Sequence, residues 1–180
     1  MEKTDNELVL DSLRDQRHYA IIVERYNGKL SSYIRRISGL KTEDVEDVLQ
    51  EVFIKAYYNL NSFKQHLKFS SWIYRIAHNT TMSELRKRHV RPLYYYEEND
   101  LISMVDAFYI ESHREQQDFH EHVRTIIQKM DEKYKDVLTL KFLEEKDYKE
   151  ISDILKIPEG TVATRINRAK KKFRDLYENP

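Results

Sequence analysis

Residues 147–173 read DYKEISDILKIPEGTVATRINRAKKKF. The spacing predicts a short amphipathic helix, a break over 156–159, and a second helix that turns strongly basic toward its end. Pro158 is disfavoured inside a helix but tolerated at its first turn, so the break reads as a connection between two helices rather than a kink in one. This is the grammar of a helix-turn-helix. In the second helix Val162, Ile166, Ala169 and Phe173 form one apolar stripe, while Thr161, Thr164, Arg165 and Arg168 fall on another. Hydroxyl and guanidinium groups suit base edges and phosphates in a major groove, and Lys170, Lys171 and Lys172 would add sequence-independent attraction. A helix with a merely solvated basic face has the same pattern.

Composition limits what can surround this motif. The chain has 180 residues, 40% hydrophobic and 34% charged, enough for one or two small domains of ordinary composition. Three Gly and three Pro leave little punctuation for hairpins, so the expected fold is all-α. The absence of Cys excludes disulfides, a thiolate nucleophile and Cys-ligated zinc. No window approaches the roughly 18 apolar residues of a membrane span, so no membrane insertion and a cytoplasmic location are expected. The formal net charge of zero hides a sorting of charge. Residues 64–92 carry seven Lys or Arg against one acid, 93–122 one against eight, and 156–180 seven against three. Two basic blocks separated by an acidic one suggest two contacts on a single nucleic acid.

Taken in order, residues 7–37 show helical spacing with a possible irregularity at Asn27-Gly28 and a break at Ser38-Gly39. Thr42 is expected to cap a helix running to about Tyr58, with Glu43 and Asp44 in its first turn. Its buried face is Val45, Val48, Leu49, Val52, Phe53 and Ala56. Asp47, Gln50, Glu51 and Ile54 form an opposite stripe, which periodicity leaves open between a solvated face and a docking surface. The next block interleaves cations with Phe63, Phe69, Trp72 and Tyr74, and is expected to offer Lys68, Arg75, His78, Asn79, Arg86, Lys87 and Arg88 to solvent. Cations, aromatic platforms and an amide suit an unpaired strand, although Phe69 and Trp72 could equally be core. Residues 93 to about 109 lack a sustained helical period and are expected to be a linker with tyrosine anchors. His113, His120 and His122 have no supporting carboxylate arrangement for a metal. A second unit with its own core follows, with helices expected over 119–129 and 133–142 packing on the helix-turn-helix.

With both halves read, DVEDVLQEVFIKAYYNLNSF resembles the core-polymerase-binding segment of bacterial sigma factors, SSWIYRIAHNTTMSELRKR resembles their promoter-melting segment, and residues 147–173 resemble their carboxy-terminal helix-turn-helix. The small size is similar to the extracytoplasmic-function (ECF) subfamily. The resemblance implies a sigma amino-terminal domain over 1–92, a flexible acidic linker over 93–114, and a four-helix carboxy-terminal domain over 115–180. It implies that Asp47, Gln50, Glu51 and Ile54 face the clamp of the largest subunit of core RNA polymerase. It implies that the loop over 62–69, with Phe63, Lys68, Trp72, Arg75, Asn79 and Arg86, captures the unpaired minus-ten strand of promoter DNA. The minus-thirty-five duplex would meet Thr161, Thr164, Arg165, Asn167 and Arg168, with Lys171 and Lys172 on phosphate. Ala163 stands where relatives often carry a basic residue, which implies a different promoter preference. The linker would pass along the polymerase's RNA path, where Glu97, Glu98 and Asp100 could mimic RNA charge. An anti-sigma factor, membrane-bound in many relatives, is a further implied partner. No cofactor, metal or bond-making chemistry is expected, and no phosphate-binding glycine loop occurs. A free-standing helix-turn-helix repressor or activator is the alternative, but it gives no reason for the basic and aromatic block over 64–91.

Overall fold

The structure, a computed structural model, describes residues 3–108 and 119–178. Among these, nine α-helices and no strands form, as the scarcity of turn residues requires. His113 and the end of the expected linker lie outside the described residues. The chain divides into two compact units, one of Met1–Leu93 with Asp153–Leu155 and the other of Tyr94–Ser152 and Lys156–Pro180.

The first unit holds α1 (Asp5–Arg14), α2 (Tyr19–Ser38), α3 (Thr42–Tyr58) and α4 (Phe69–Lys87). Thr4 and Glu7 close a capping box at the start of α1, each side chain accepting from the other's backbone N–H. Helix α2 runs unbroken through Asn27-Gly28, because Ile22, Tyr26, Leu30, Tyr33 and Ile37 continue one buried stripe across that dipeptide. It stops at Gly39, whose φ of 63° is left-handed. A Cβ at Gly39 would stand 2.3 Å from the Leu93 carbonyl oxygen, so the turn needs glycine both for its backbone angle and for close approach. Thr42 is the first residue of α3 rather than its cap. The cap position falls to Lys41, which makes no side-chain bond there, while Glu43 and Asp44 occupy the first turn. The expected apolar face of α3 is buried against α2 and α4. Tyr33 and Tyr74 sit fully buried with ring centroids 5.1 Å apart, and the Tyr33 hydroxyl meets His78 Nδ1 at 3.0 Å. Each such side chain contributes roughly 1.5–3 kcal/mol by leaving water.

The second unit holds α5 (Glu98–Ala107), α6 (Phe119–Gln128), α7 (Glu132–Leu138) running into a π-helical turn (Thr139–Leu143), α8 (Tyr148–Leu155) and α9 (Glu159–Glu178). Helix α5 departs from the expectation of a linker without a sustained helical period, while the expected tyrosine anchors are present. Leu101, Met104, Val105 and Phe108 are buried, and α5 packs on α6 and the π-helical turn. The segment before it is anchored by two tyrosines: the Tyr94 hydroxyl donates to Asp136 Oδ1 at 2.6 Å, and that of Tyr96 meets Thr139 Oγ1 at 3.0 Å. Residues 94–108 are therefore integral to the second unit, giving it a fifth helix. Their helical period is weak in the sequence because the apolar positions span scarcely three turns and are flanked by acids. Glu97 and Asp100 close the capping box of α5, and Asp100 is buried, so at least these two acids have a structural task besides any mimicry of RNA charge.

Candidate nucleic-acid interface

Packing of α3 against α4 leaves an open pocket of about 440 Å³ lined by Lys55, Asn59, Ser62, Trp72, Arg75, Ile76, Asn79, Thr80 and Ser83. Its long wall is one face of α4. Arg75, Asn79 and Arg86 are spaced at i, i+4 and i+11, which at 3.6 residues per turn places them in one stripe about 17 Å long. Arg75 is half-buried, and Lys68, Asn79 and Arg86 are exposed. Arg86 is steadied by hydrogen bonds to the Met82 carbonyl and Ser83 Oγ. Lys68 lies instead against the start of α1, in a second hollow with Thr4, Asp5, Asn6 and residues 65–70.

The structure makes the aromatic residues, left open between platform and core for Phe69 and Trp72, part of the core. Phe63, Phe69 and Trp72 form a triangle with centroids 5.4–5.5 Å apart, and Tyr26 meets Phe69 edge-on at 5.6 Å. Phe63 and Trp72 each retain only 7% exposure. Burying three rings together is worth more than leaving them as solvent-facing stacking surfaces. Phe63 therefore braces the loop over 62–68 from inside and offers no stacking face, whereas Trp72 keeps an edge on the pocket. The loop has a polar tie as well: the Asn6 amide donates to the Gln65 carbonyl at 2.8 Å. Lys55, Asn59, Thr80 and Ser83 were not predicted, because only the packing of α3 on α4 brings them to the pocket. Lys55 Nζ lies 2.7 Å from Glu51 Oε1 and donates to Thr80 Oγ1 at 3.3 Å. At the far end of α4, Arg88 bonds Glu84 at 2.8 Å and Asp44 at 2.6 Å. The hydrogen bond from Arg88 holds the Glu84 carboxyl below its ordinary range.

Of the stripe on α3, Asp47, Gln50 and Ile54 are exposed and Glu51 is half-buried, and its members face two ways. Ile54 is 55% exposed, and with Gln50 it borders a groove of about 510 Å³ between α2 and α3. Asp47 is exposed, and Glu51 leans to the opposite side toward Lys55.

In the second unit, Asp147 and Glu150 close the capping box of α8, and Lys156 ends it in the left-handed conformation. Ser152 Oγ locks the turn by donating to the Ile157 carbonyl at 2.6 Å. Helix α9 then buries Val162, Ile166, Ala169 and Phe173, the stripe read from the sequence. The opposite face leaves Thr164, Asn167, Arg168 and Lys171 exposed, with Thr161, Arg165 and Lys172 half-buried. Thr161, Thr164, Arg165 and Arg168 line one hollow of about 450 Å³ together with Lys133 and Tyr134 of α7. Lys170 departs from its expected phosphate role. Its Nζ donates to the Ala107 carbonyl at 2.8 Å and lies over the Phe142 and Phe108 rings at 5.1 and 5.9 Å. It caps the carboxy-terminal end of α5, where burial lowers its pKa. His120 packs on Phe119 and His122 on Tyr177. Among the described residues no helix is long and apolar enough to cross a membrane.

Comparison with known proteins agrees with this division. Residues 22–91 match the family model for Sigma-70 region 2, and residues 120–173 match that for Sigma-70, region 4. The ECF RNA polymerase sigma factor SigW of Bacillus subtilis is 36% identical over 175 residues, covering 90% of this chain and 92% of the relative. The ECF RNA polymerase sigma-E factor of Escherichia coli K12 is 34% identical over 169 residues, covering 87% and 85%. Among solved structures, CnrH in complex with the cytosolic domain of CnrY has a TM-score of 0.69 at 22% identity, covering 98% of each chain. RpoE of Bartonella quintana, in complex with the anti-sigma factor NepR, has a TM-score of 0.62 at 18% identity, covering 89% of this chain and 97% of that one.

Proposed function

Because the chain belongs to the ECF RNA polymerase sigma factors, we propose that it gives core polymerase a promoter address by gripping DNA at two places. The amino-terminal unit docks on the clamp of the largest polymerase subunit through Asp47, Gln50, Glu51 and Ile54. Exposure of Ile54 beside the α2–α3 groove supports this, since an apolar side chain left in water on a polar stripe suits burial by a partner. The pocket between α3 and α4 takes an unpaired base of the minus-ten strand, with Arg75 and Lys68 on the backbone and Asn79 pairing with a base edge. The carboxy-terminal unit places α9 in the major groove of the minus-thirty-five element.

The observation that carries this reading is the convergence of Arg75, Asn79 and the edge of Trp72 on one pocket. Melting costs base stacking, and a site that holds an extruded base recovers part of that cost only once the strand is open. Binding energy thereby becomes strand opening, with no nucleotide hydrolysis or bond-making step. The protein acts in the cytoplasm, and an anti-sigma factor restrains it. Run-off transcription with purified core polymerase tests the reading: promoter-specific initiation is expected, whereas tight operator binding without polymerase and no initiation would support a free-standing repressor.

A further inference from the structure

The hollow beside α9 is shared with α7, whose Lys133 and Tyr134 line it opposite Thr164 and Arg168. The Tyr134 ring has two cations near it, Lys133 Nζ at 5.1 Å and Lys172 Nζ at 5.8 Å from its centroid. Both ammonium groups also converge on Asp131, the residue before α7, lying 3.9 and 3.7 Å from its Oδ2. The side chains of Asp131, Lys133 and Lys172 are 55%, 52% and 39% exposed, so these long pairs lie in water and add little to the stability of the fold. One carboxylate serving two lysines at the rim of a basic hollow calls for another explanation.

We propose that Lys133 and Tyr134 form, with Lys172, a second backbone grip for duplex DNA on the shoulder of α9, and that Asp131 is a counter-charge which phosphates displace. The proposal rests on the reading of α9 as the duplex-binding helix. Each lysine that exchanges Asp131 for a phosphate releases a condensed counterion from the DNA, which strengthens binding to every sequence alike. The Tyr134 ring keeps both ammonium groups at the rim through cation–π attraction, so they need not be ordered anew on binding. Asp131 opposes the approach of phosphate. It keeps the sequence-independent grip weak, leaving discrimination to the side chains of α9.

Fluorescence anisotropy of the full chain tests this, using a duplex selected by the wild-type protein from a randomised pool and a scrambled duplex, each titrated over a range of salt. Asp131→Asn is expected to tighten both duplexes alike, by about two- to fivefold, the range of an exposed charge pair. Lys133→Ala is expected to weaken both and to flatten the slope of log affinity against log salt by about 0.9. An unchanged slope in Lys133→Ala, or no gain in Asp131→Asn, overturns the shoulder. Arg168→Ala separates the two readings. If the selected duplex binds and only Arg168→Ala responds, α9 stands and the shoulder falls. If no duplex binds the wild-type chain at any salt, the reading of α9 falls and takes the shoulder with it.

Discussion

Replacing Tyr96 with Ala tests whether residues 94–108 belong to the carboxy-terminal unit. Tyr96 is 2% exposed, and its hydroxyl meets that of Thr139, which is fully buried. Truncation removes a buried aromatic ring and orphans the Thr139 hydroxyl. A buried aromatic truncated to Ala costs about 3–5 kcal/mol. A hydroxyl left without its partner adds about 1 kcal/mol at the low end, because Thr139 can turn toward a carbonyl of its own helix. Against a domain stability of about 5–15 kcal/mol, a loss of about 4–6 kcal/mol is severe. The two units can be followed separately, because the only Trp in the chain, Trp72, lies in the first unit. In urea, the far-UV circular dichroism transition that Trp72 fluorescence does not follow should move to lower denaturant in Tyr96→Ala. Tyr96→Phe, which keeps the ring, should move it by about 1 kcal/mol or less. Far-UV and fluorescence midpoints both unchanged in Tyr96→Ala would mean that the segment is a linker that docks on nothing and that α5 is no part of the second unit.

Other outcomes follow from single residues. Gly39→Ala should destabilise the first unit by about 1–2 kcal/mol from the left-handed backbone alone, and by more from the clash with the Leu93 carbonyl; the Trp72 fluorescence transition in urea measures it. Glu51→Arg should abolish association with core polymerase in a pull-down while circular dichroism stays unchanged, and normal core affinity would remove α3 from the clamp. Arg168→Ala should cost about 1–3 kcal/mol on the preferred duplex if its guanidinium reads a base, whereas equal losses on all sequences would reassign it to the backbone. The Glu84 carboxyl, lowered by its bond from Arg88, stabilises the fold above its unfolded pKa and loses that contribution as pH falls through the folded value. Arg88→Gln should therefore flatten the acid limb of a stability–pH curve followed by Trp72 fluorescence, and an unaltered limb would show that the pair is not coupled to folding.

Local chemistry determined much of this protein directly. A helix records its buried face every three or four residues, so the apolar stripes of α3 and α9, the turn between α8 and α9 and the sorting of charge into two basic blocks were legible in the chain. The cations and amide of α4 were legible for the same reason, since Arg75, Asn79 and Arg86 fall on one face by spacing, whereas Lys68 precedes the helix and lies against α1. The tertiary structure decided what each stripe meets. Whether Phe63 and Trp72 stack in solvent or pack together depends on the approach of Phe69 and Tyr26, and Tyr26 is far away in sequence. Lys170 looks like its neighbours Lys171 and Lys172 until α5 brings the Ala107 carbonyl and two aromatic rings to it. Lys55 and Lys133 likewise join their hollows only through the packing of one helix on another. Period and composition say which face of a helix is polar; only the partner across the interface decides whether that face meets solvent, nucleic acid or the protein itself.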